Sequence, residues 1–469
     1  MTTTCGVSLS LCGTNCFEKK SDERPNIVLI LADDLGYGDL SCYGQTHFQT
    51  PHIDRLAAEG MKFTDFYAGS TVCAPSRSSL MTGLHTGHTP IRGNKAVHPE
   101  GQEPLPASTI TVAKLLKKAG YTTGAYGKWG LGSPHSEGDP NNQGFDEFFG
   151  YNCQRNAHHY YPWHLWHNQE KVVLKENEGR KKGTYAPNLI QKKALQFIEN
   201  NKDTPFFLFI PSIIPHAELF APEEYMVTFR GKFKPEKTYK GVDSGDRYRR
   251  GAYGSQPEGH AAFAAMICLL DDQVAEITAK LKEFRLEKNT LILFSSDNGP
   301  HLEGGADPDY FDSNGPVRGY KRDLYDGGIR VPFIARWPDK IKAGSVCHHV
   351  STFWDMMPTF CEIAGSESPE NIDGLSFLPV LLGNNRKQQT HDFLYWEFHE
   401  RKSTIQAVRM GKWKAFRAGP ARPLELYDLE KDIGETGNIA DDHPEIIRRI
   451  EDYLRTARSE SAIWPLKTS

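Results

Sequence analysis

Four stretches of the chain are apolar without interruption: Asn26–Ala32, Phe206–Ile210, Leu291–Ser295 and Val331–Ala335. Each has the length of a strand, and unbroken rather than alternating apolar positions predict strands covered on both faces in a mostly parallel sheet. Apolar residues recur with helical spacing over Pro51–Gly60, Thr109–Gly120, Tyr185–Asn200, His260–Phe284 and Thr352–Gly365. Strand and helix therefore alternate, which predicts a doubly wound α/β sandwich whose ligand site lies beyond the carboxyl ends of the strands. After about residue 375 the pattern changes to short strands, Phe393–Phe398, Ile405–Arg409 and Trp413–Phe416, followed by a helix over Pro444–Arg458. These predict a small α+β unit with an antiparallel sheet. The expected division is residues 25–375 for the large domain and 376–469 for the small one.

Composition narrows the class. The 469 residues are 38% hydrophobic and 24% charged, as in a globular protein large enough for that division. A net charge of −4 predicts no general affinity for nucleic acid, so any anion recognition is local. No apolar run approaches the roughly 20 residues of a membrane span. The nine cysteines are scattered with no Cys-x-x-Cys pair, which points to neither a zinc site nor a disulfide framework. Residues 1–24 are small and mildly apolar but lack a basic start, and read as the remnant of an export leader or a disordered tail.

Chemistry concentrates around Cys73, in Ser70-Thr71-Val72-Cys73-Ala74-Pro75-Ser76-Arg77. Pro75 suits the first turn of a helix that closes at Gly83, so Cys73 stands at the positive end of that helix, where backbone N–H groups and Arg77 favour an anion. On local sequence alone a buried structural thiol competes with this reading. The first strand runs into Asp33-Asp34 and the third into Asp297-Asn298, together three carboxylates and one amide oxygen, a hard ligand set for Ca²⁺ or Mg²⁺. Taken singly, either pair reads equally as helix caps or solvated loop residues.

The pentad Cys73-Ala74-Pro75-Ser76-Arg77, continued by Ser78-Ser79-Leu80-Met81-Thr82-Gly83, resembles the Cys-x-Pro-Ser-Arg signature of type I sulfatases. So do Asp33-Asp34 and Asp297-Asn298, Gly127-Lys128-Trp129-Gly130-Leu131-Gly132, Pro215-His216 and Lys321. Toward the C-terminus Leu426-Tyr427-Asp428-Leu429 and Glu435-Thr436-Gly437-Asn438-Ile439 continue the likeness, which covers nearly all of the chain after residue 24. The resemblance implies an alkaline phosphatase-like fold and sulfate ester hydrolysis. It implies that Cys73 is oxidised to formylglycine by a formylglycine-generating or anaerobic sulfatase-maturating enzyme. The hydrated aldehyde offers two hydroxyls on one carbon, one to attack sulfur and one to collapse and expel sulfate.

The same resemblance implies one divalent cation on Asp33, Asp34, Asp297, Asn298 and the modified Cys73, Ca²⁺ first and Mg²⁺ second. Lys128 and Lys321 would hold sulfate oxygens beside Arg77, and His216 would protonate the leaving alcohol. Without the motifs, these lysines read as solvated and His216 as structural. Gly130 departs from the pattern, because many relatives carry a histidine there; His135 is a candidate replacement, and the alternative is that a metal-bound hydrate needs no such base. A sugar substrate is expected, galactose or N-acetylgalactosamine sulfate within a glycan. The aromatic and histidine-rich segment Asn152–Trp166 offers Arg155, His158 and His159, and His85, His88, Arg92, Asn94 and His301 complete the candidates for substrate contact. The basic stretch Arg230–Arg250 reads as a solvated insertion or as a guide for a sulfated polymer. Export to the periplasm or the extracellular space fits such a substrate. Two other readings stand: a phosphodiesterase or phosphonate hydrolase of the same superfamily, and a non-catalytic glycan-binding relative.

Overall fold

The computed structural model describes residues 1–2 and 24–468, so the segment read as a leader lies almost wholly outside the described residues. A ten-stranded sheet runs through the larger part, in the order Ser345–Cys347, Met61–Phe63, Phe333–Arg336, Thr290–Ser296, Asn26–Ala32, Phe206–Pro211, Thr122–Lys128, Glu147–Tyr151, His164–His167, Glu170–Val173. Its five central strands, from Thr290–Ser296 to Glu147–Tyr151, are parallel. The sheet becomes mixed toward both edges.

The unbroken apolar strands are covered on both faces, as their pattern requires. Val28, Ile30 and Ala32 point into one core with helices Pro51–Ala58, Ala186–Asn200 and Gly259–Glu283. Ile27, Leu29 and Leu31 point into the other with Cys73–Thr82, Val112–Lys118 and Met356–Ala364. This alternation is the two-residue period of a strand read on two buried faces. The expected strand at Val331–Ala335 is displaced to Phe333–Arg336 and lies antiparallel to Thr290–Ser296.

The small unit is a four-stranded antiparallel sheet of Leu394–Phe398, Ile405–Met410, Trp413–Arg417 and Glu425–Asp428. Helix Pro444–Leu454 covers it through Ile450 and Leu454, while Trp396 and Phe398 pack toward Val72 and Trp354 of the larger part.

Candidate active site

Neighbouring parallel strands end on one edge, and the chemistry gathers there. Asp33 and Asp34 follow Asn26–Ala32, Asp297 and Asn298 follow Thr290–Ser296, Lys128 ends its own strand, and His216 follows Phe206–Pro211. Helix Cys73–Thr82 starts at Cys73 and closes at Gly83 in the left-handed region, φ 70°. All ten of its residues are buried. It is held to the sheet edge by Ser76, whose Oγ donates to the Asp297 carbonyl at 2.5 Å.

Three cations face three aspartates in this buried cluster, with Glu303 beside them. Arg77 donates to Asp297 Oδ2 through Nε at 3.0 Å and Nη2 at 2.8 Å, and through Nη1 to the Lys128 carbonyl. Lys128 Nζ lies 2.6 Å from Asp33 Oδ2 and 3.3 Å from Cys73 Sγ. Lys321 Nζ donates to Asp34 Oδ2 at 2.8 Å, Glu303 Oε2 at 3.0 Å and His216 Nε2 at 3.1 Å. Asn298 Nδ2 donates to Asp34 Oδ1 at 2.7 Å.

Two oxygens are left over. Asp33 Oδ1 and Asn298 Oδ1 are buried without a hydrogen-bond partner. Asp33, Asp34, Cys73 and His216 each bring one ligand atom within 4.8 Å of the others. Buried polar atoms are normally paired, so oxygens left bare among carboxylates match a hard cation.

The electrostatics follow from burial and from these pairs. Burial pushes the Asp33 and Asp34 carboxyls up, but Lys128 beside the first and Lys321 beside the second outweigh it and hold both below the usual range. Burial and the Asp33 charge push Asp297 up to about 7. Burial also pushes the Cys73 thiol up to about 12, so as a thiol it is a poor nucleophile at neutral pH. Burial and then Lys321 push His216 down to about 4. Its Nδ1 faces the Ala217 carbonyl and its Nε2 faces the Lys321 ammonium, the contacts of a neutral imidazole.

Above the cluster opens a cleft of about 570 Å³ lined by Cys73, His216 and Lys321 at the bottom. A groove of about 620 Å³ between helices Ala186–Asn200 and Gly259–Glu283 is larger but has none of the clustered groups. Of the residues expected to touch substrate, Asn94, Arg155 and His158 line the cleft. The other candidates lie elsewhere. His85 is buried beside Asp373 and stacks on His88 at 4.3 Å, and Arg92 is buried against Glu397 at 3.0 Å. His159 accepts from Gly251 N at 2.9 Å, and His301 sits behind His216, ring centroids 5.6 Å apart. His135 packs on Trp166 and is not among the residues that line the cleft.

The basic stretch is not simply solvated. Arg247 and Arg250 reach the cleft, where Arg155 Nε donates to the Arg250 carbonyl at 2.7 Å and His158 Nδ1 lies 2.8 Å from the Gly251 carbonyl. Sequence reasoning missed Glu303, which holds Lys321 and Arg322, and the cleft residues Gln102, Gln154 and Tyr253. Glu303 stands five residues past Asn298, close enough to have drawn notice. Gln102 and Tyr253 carry no local signal, and Gln154 lies in the Asn152–Trp166 segment, where the arginine and histidines drew the attention.

The sulfatase family profile matches residues 25–366. The chain belongs to the sulfatase family. A second profile, N-sulphoglucosamine sulphohydrolase C-terminal, matches residues 319–460 of this sulfatase. The chain is 34% identical to N-acetylgalactosamine-6-sulfatase of Rattus norvegicus over 84% of its length and 71% of the relative's. It is 31% identical to arylsulfatase A of Homo sapiens, covering 94% of this sulfatase and 89% of that one. The solved structure of Ps i-CgsB in complex with k-i-k-neocarrahexaose superposes with a TM-score of 0.78 at 28% identity, covering 95% of each chain. The protein is thus a hydrolase of sulfuric esters on the alkaline phosphatase-like fold. No helix among the described residues is long and apolar enough to cross a membrane.

Proposed function

We propose that this sulfatase removes sulfate from a sugar, a galactose or N-acetylgalactosamine sulfate of a glycan, using a formylglycine made from Cys73 and one divalent cation. The observation that carries the reading is the balanced cluster under the cleft, with Asp33 Oδ1 and Asn298 Oδ1 unpartnered beside Cys73. Asp33, Asp34, Asp297 and Asn298 would hold the cation with residue 73; carboxylate and amide oxygens in an irregular set favour Ca²⁺ over Mg²⁺. When bound, the cation supplies Lewis-acid polarisation and two positive charges that the three ion pairs do not already cancel.

The chain's own residues do the rest. Arg77 fixes Asp297 and the end of the Lys128 strand, so the carboxylate cannot turn away. Lys128 and Lys321, held charged despite burial by Asp33 and by Asp34 with Glu303, present ammonium groups to sulfate oxygens as charge develops on them. The leaving alcohol needs a proton, and His216 with Lys321 is the pair placed to deliver it: the ammonium carries the proton and the imidazole Nε2 is 3.1 Å away to share it. Arg155, Arg247 and Arg250 at the mouth suit a second anionic group of a sulfated glycan, and Tyr253 offers a face to a sugar ring. The N-acetylgalactosamine-6-sulfatase relative supports the sugar assignment. Such a substrate places the enzyme in the periplasm or outside the cell, after maturation by a formylglycine-generating or anaerobic sulfatase-maturating enzyme.

The test measures sulfate release from defined 4- and 6-sulfated galactose, N-acetylgalactosamine and glucosamine, beside an aryl sulfate and an aryl phosphodiester, with the residue 73 peptide checked by mass spectrometry. Release from a galacto-configured sugar by converted protein is expected. Preference for the diester, or full activity with an unmodified thiol, would refute the reading.

A further inference from the structure

The cleft lining holds two kinds of polar group. Beside the charged groups already described, the lining holds three carboxamides, Asn94, Gln102 and Gln154. Gln102 and Gln154 both line the cleft and are buried, 3% and 7% exposed, yet neither side chain makes a hydrogen bond among the described residues. Gln154 Nε2 is enclosed against Gly130 without a partner, which leaves its equally unpartnered Oε1 as the atom available to a ligand. A buried carboxamide with its donors and acceptor unused is rare, and in a cleft it marks a place where a ligand completes the pairing.

The backbone makes room for this arrangement. Gly130 has φ 77°, and a Cβ on it would lie 2.6 Å from Gln154 Nε2. The glycine therefore seats Gln154 against the loop that leaves the Lys128 strand. Gln102 is tied to the same loop by its backbone N–H, which donates to the Gly132 carbonyl at 2.9 Å. The two glutamines thus flank residues 130–132, next to the strand that carries Lys128. Asn94 also lines the cleft, with Oδ1 already accepting from Ala74 N at 3.4 Å.

A sulfate oxygen only accepts hydrogen bonds, and the ammonium and guanidinium groups of the lining supply donors for it. A carboxamide both donates and accepts, which matches a hydroxyl. We propose that Gln102 and Gln154 are specificity-determining residues that read neutral hydroxyls of the substrate sugar beside the sulfated position. The proposal rests on the sulfatase reading above and adds which groups recognise the sugar as distinct from the sulfate. It also gives Gly130 a purpose: the space without a side chain belongs to Gln154.

The experiment compares Gln154→Met and Gln102→Met with wild type on two substrates. One is the best sulfated monosaccharide of the panel above; the other is 4-methylumbelliferyl sulfate, which has the ester but no sugar hydroxyl. Methionine keeps the length and removes the hydrogen bonds. Sites that hydrogen-bond a hydroxyl discriminate strongly when the pairing is lost, so the sugar-to-aryl ratio of kcat/KM is expected to fall about 10- to 100-fold in each variant. The thermal midpoint should not drop, because no intramolecular bond is removed. Equal losses on both substrates, an unchanged ratio, or a midpoint lowered by several degrees with equal losses would overturn the proposal alone. Wild-type protein that is converted at Cys73 yet cleaves neither substrate would overturn the sulfatase reading and this proposal with it.

Discussion

Replacing Glu397 by Gln tests why Arg92 is absent from the cleft. Glu397 is fully buried and accepts from Arg92 Nη1 at 3.0 Å, Arg458 Nε at 2.9 Å and Tyr395 Oη at 2.8 Å, with His399 Nε2 at 2.9 Å. Burial pushes its carboxyl up, but the His399 hydrogen bond and the charges of His399, Arg92 and Arg458 outweigh it and bring it down to about 2. Against an ordinary 4.5, that gap corresponds to about 3 kcal/mol of folding stability at neutral pH. Breaking a buried pair by removing one partner costs about 3–5 kcal/mol on independent grounds, because the arginines keep their charge. We expect Glu397→Gln to lose about 3–4 kcal/mol at pH 7 by denaturant unfolding followed through tryptophan fluorescence.

The pH dependence has a definite sign. The folded value lies below the unfolded one, so the contribution is complete above about 4.5 and disappears as pH falls toward 2. The difference between wild type and variant should therefore shrink by about 2 kcal/mol between pH 7 and pH 3. A loss under about 1 kcal/mol at pH 7, or the same loss at both pH values, refutes the reasoning.

Other consequences can be measured directly. Lys128→Met should lower kcat and kcat/KM together by about 10²–10³ on an aryl sulfate; a raised KM with kcat intact would show that the ammonium serves ground-state binding only. Chelation should lower the thermal midpoint and Ca²⁺ should restore it, with about 2.7 kcal/mol of stabilisation at a hundredfold excess over Kd; Asp33→Asn should lose most of that response and bind Ca²⁺ weakly by calorimetry. A Ca²⁺ shift preserved in Asp33→Asn would remove Asp33 from the site. Gly130→Ala meets both a left-handed backbone and the Gln154 amide, and should cost about 1–2 kcal/mol in denaturant unfolding; a neutral result would mean that Gln154 moves aside freely.

The apolar runs disclosed Asn26–Ala32, Phe206–Pro211 and Thr290–Ser296, because a strand buried on both faces has no polar positions to hide it. Thr122–Lys128 was not visible as a strand although it is central in the sheet. Its Thr-Thr-Gly-Ala-Tyr-Gly-Lys sequence has weak strand preference, and its glycines serve close contacts: a Cβ at Gly124 would meet Phe197 at 2.8 Å and one at Gly127 the Pro211 carbonyl at 1.9 Å. Such contacts lie far away in sequence, so the pairing that makes this segment a strand leaves no local trace.

By itself, the sequence determined the reaction chemistry, because the groups around Cys73 come in short motifs at strand ends and a helix start, whose local geometry repeats wherever the motif occurs. It also determined the layered α/β class through its apolar periodicity. Only the tertiary structure decided which of the polar residues near those motifs reach the cleft. Arg92 and Asn94 are two residues apart, yet one is neutralised by a glutamate 305 positions away and the other faces the cavity. Gln102 and Gln154, far apart in the sequence, line the same cleft. A side chain's charge is local, but whether it spends that charge on a partner or offers it to a ligand depends on what the rest of the chain packs against it.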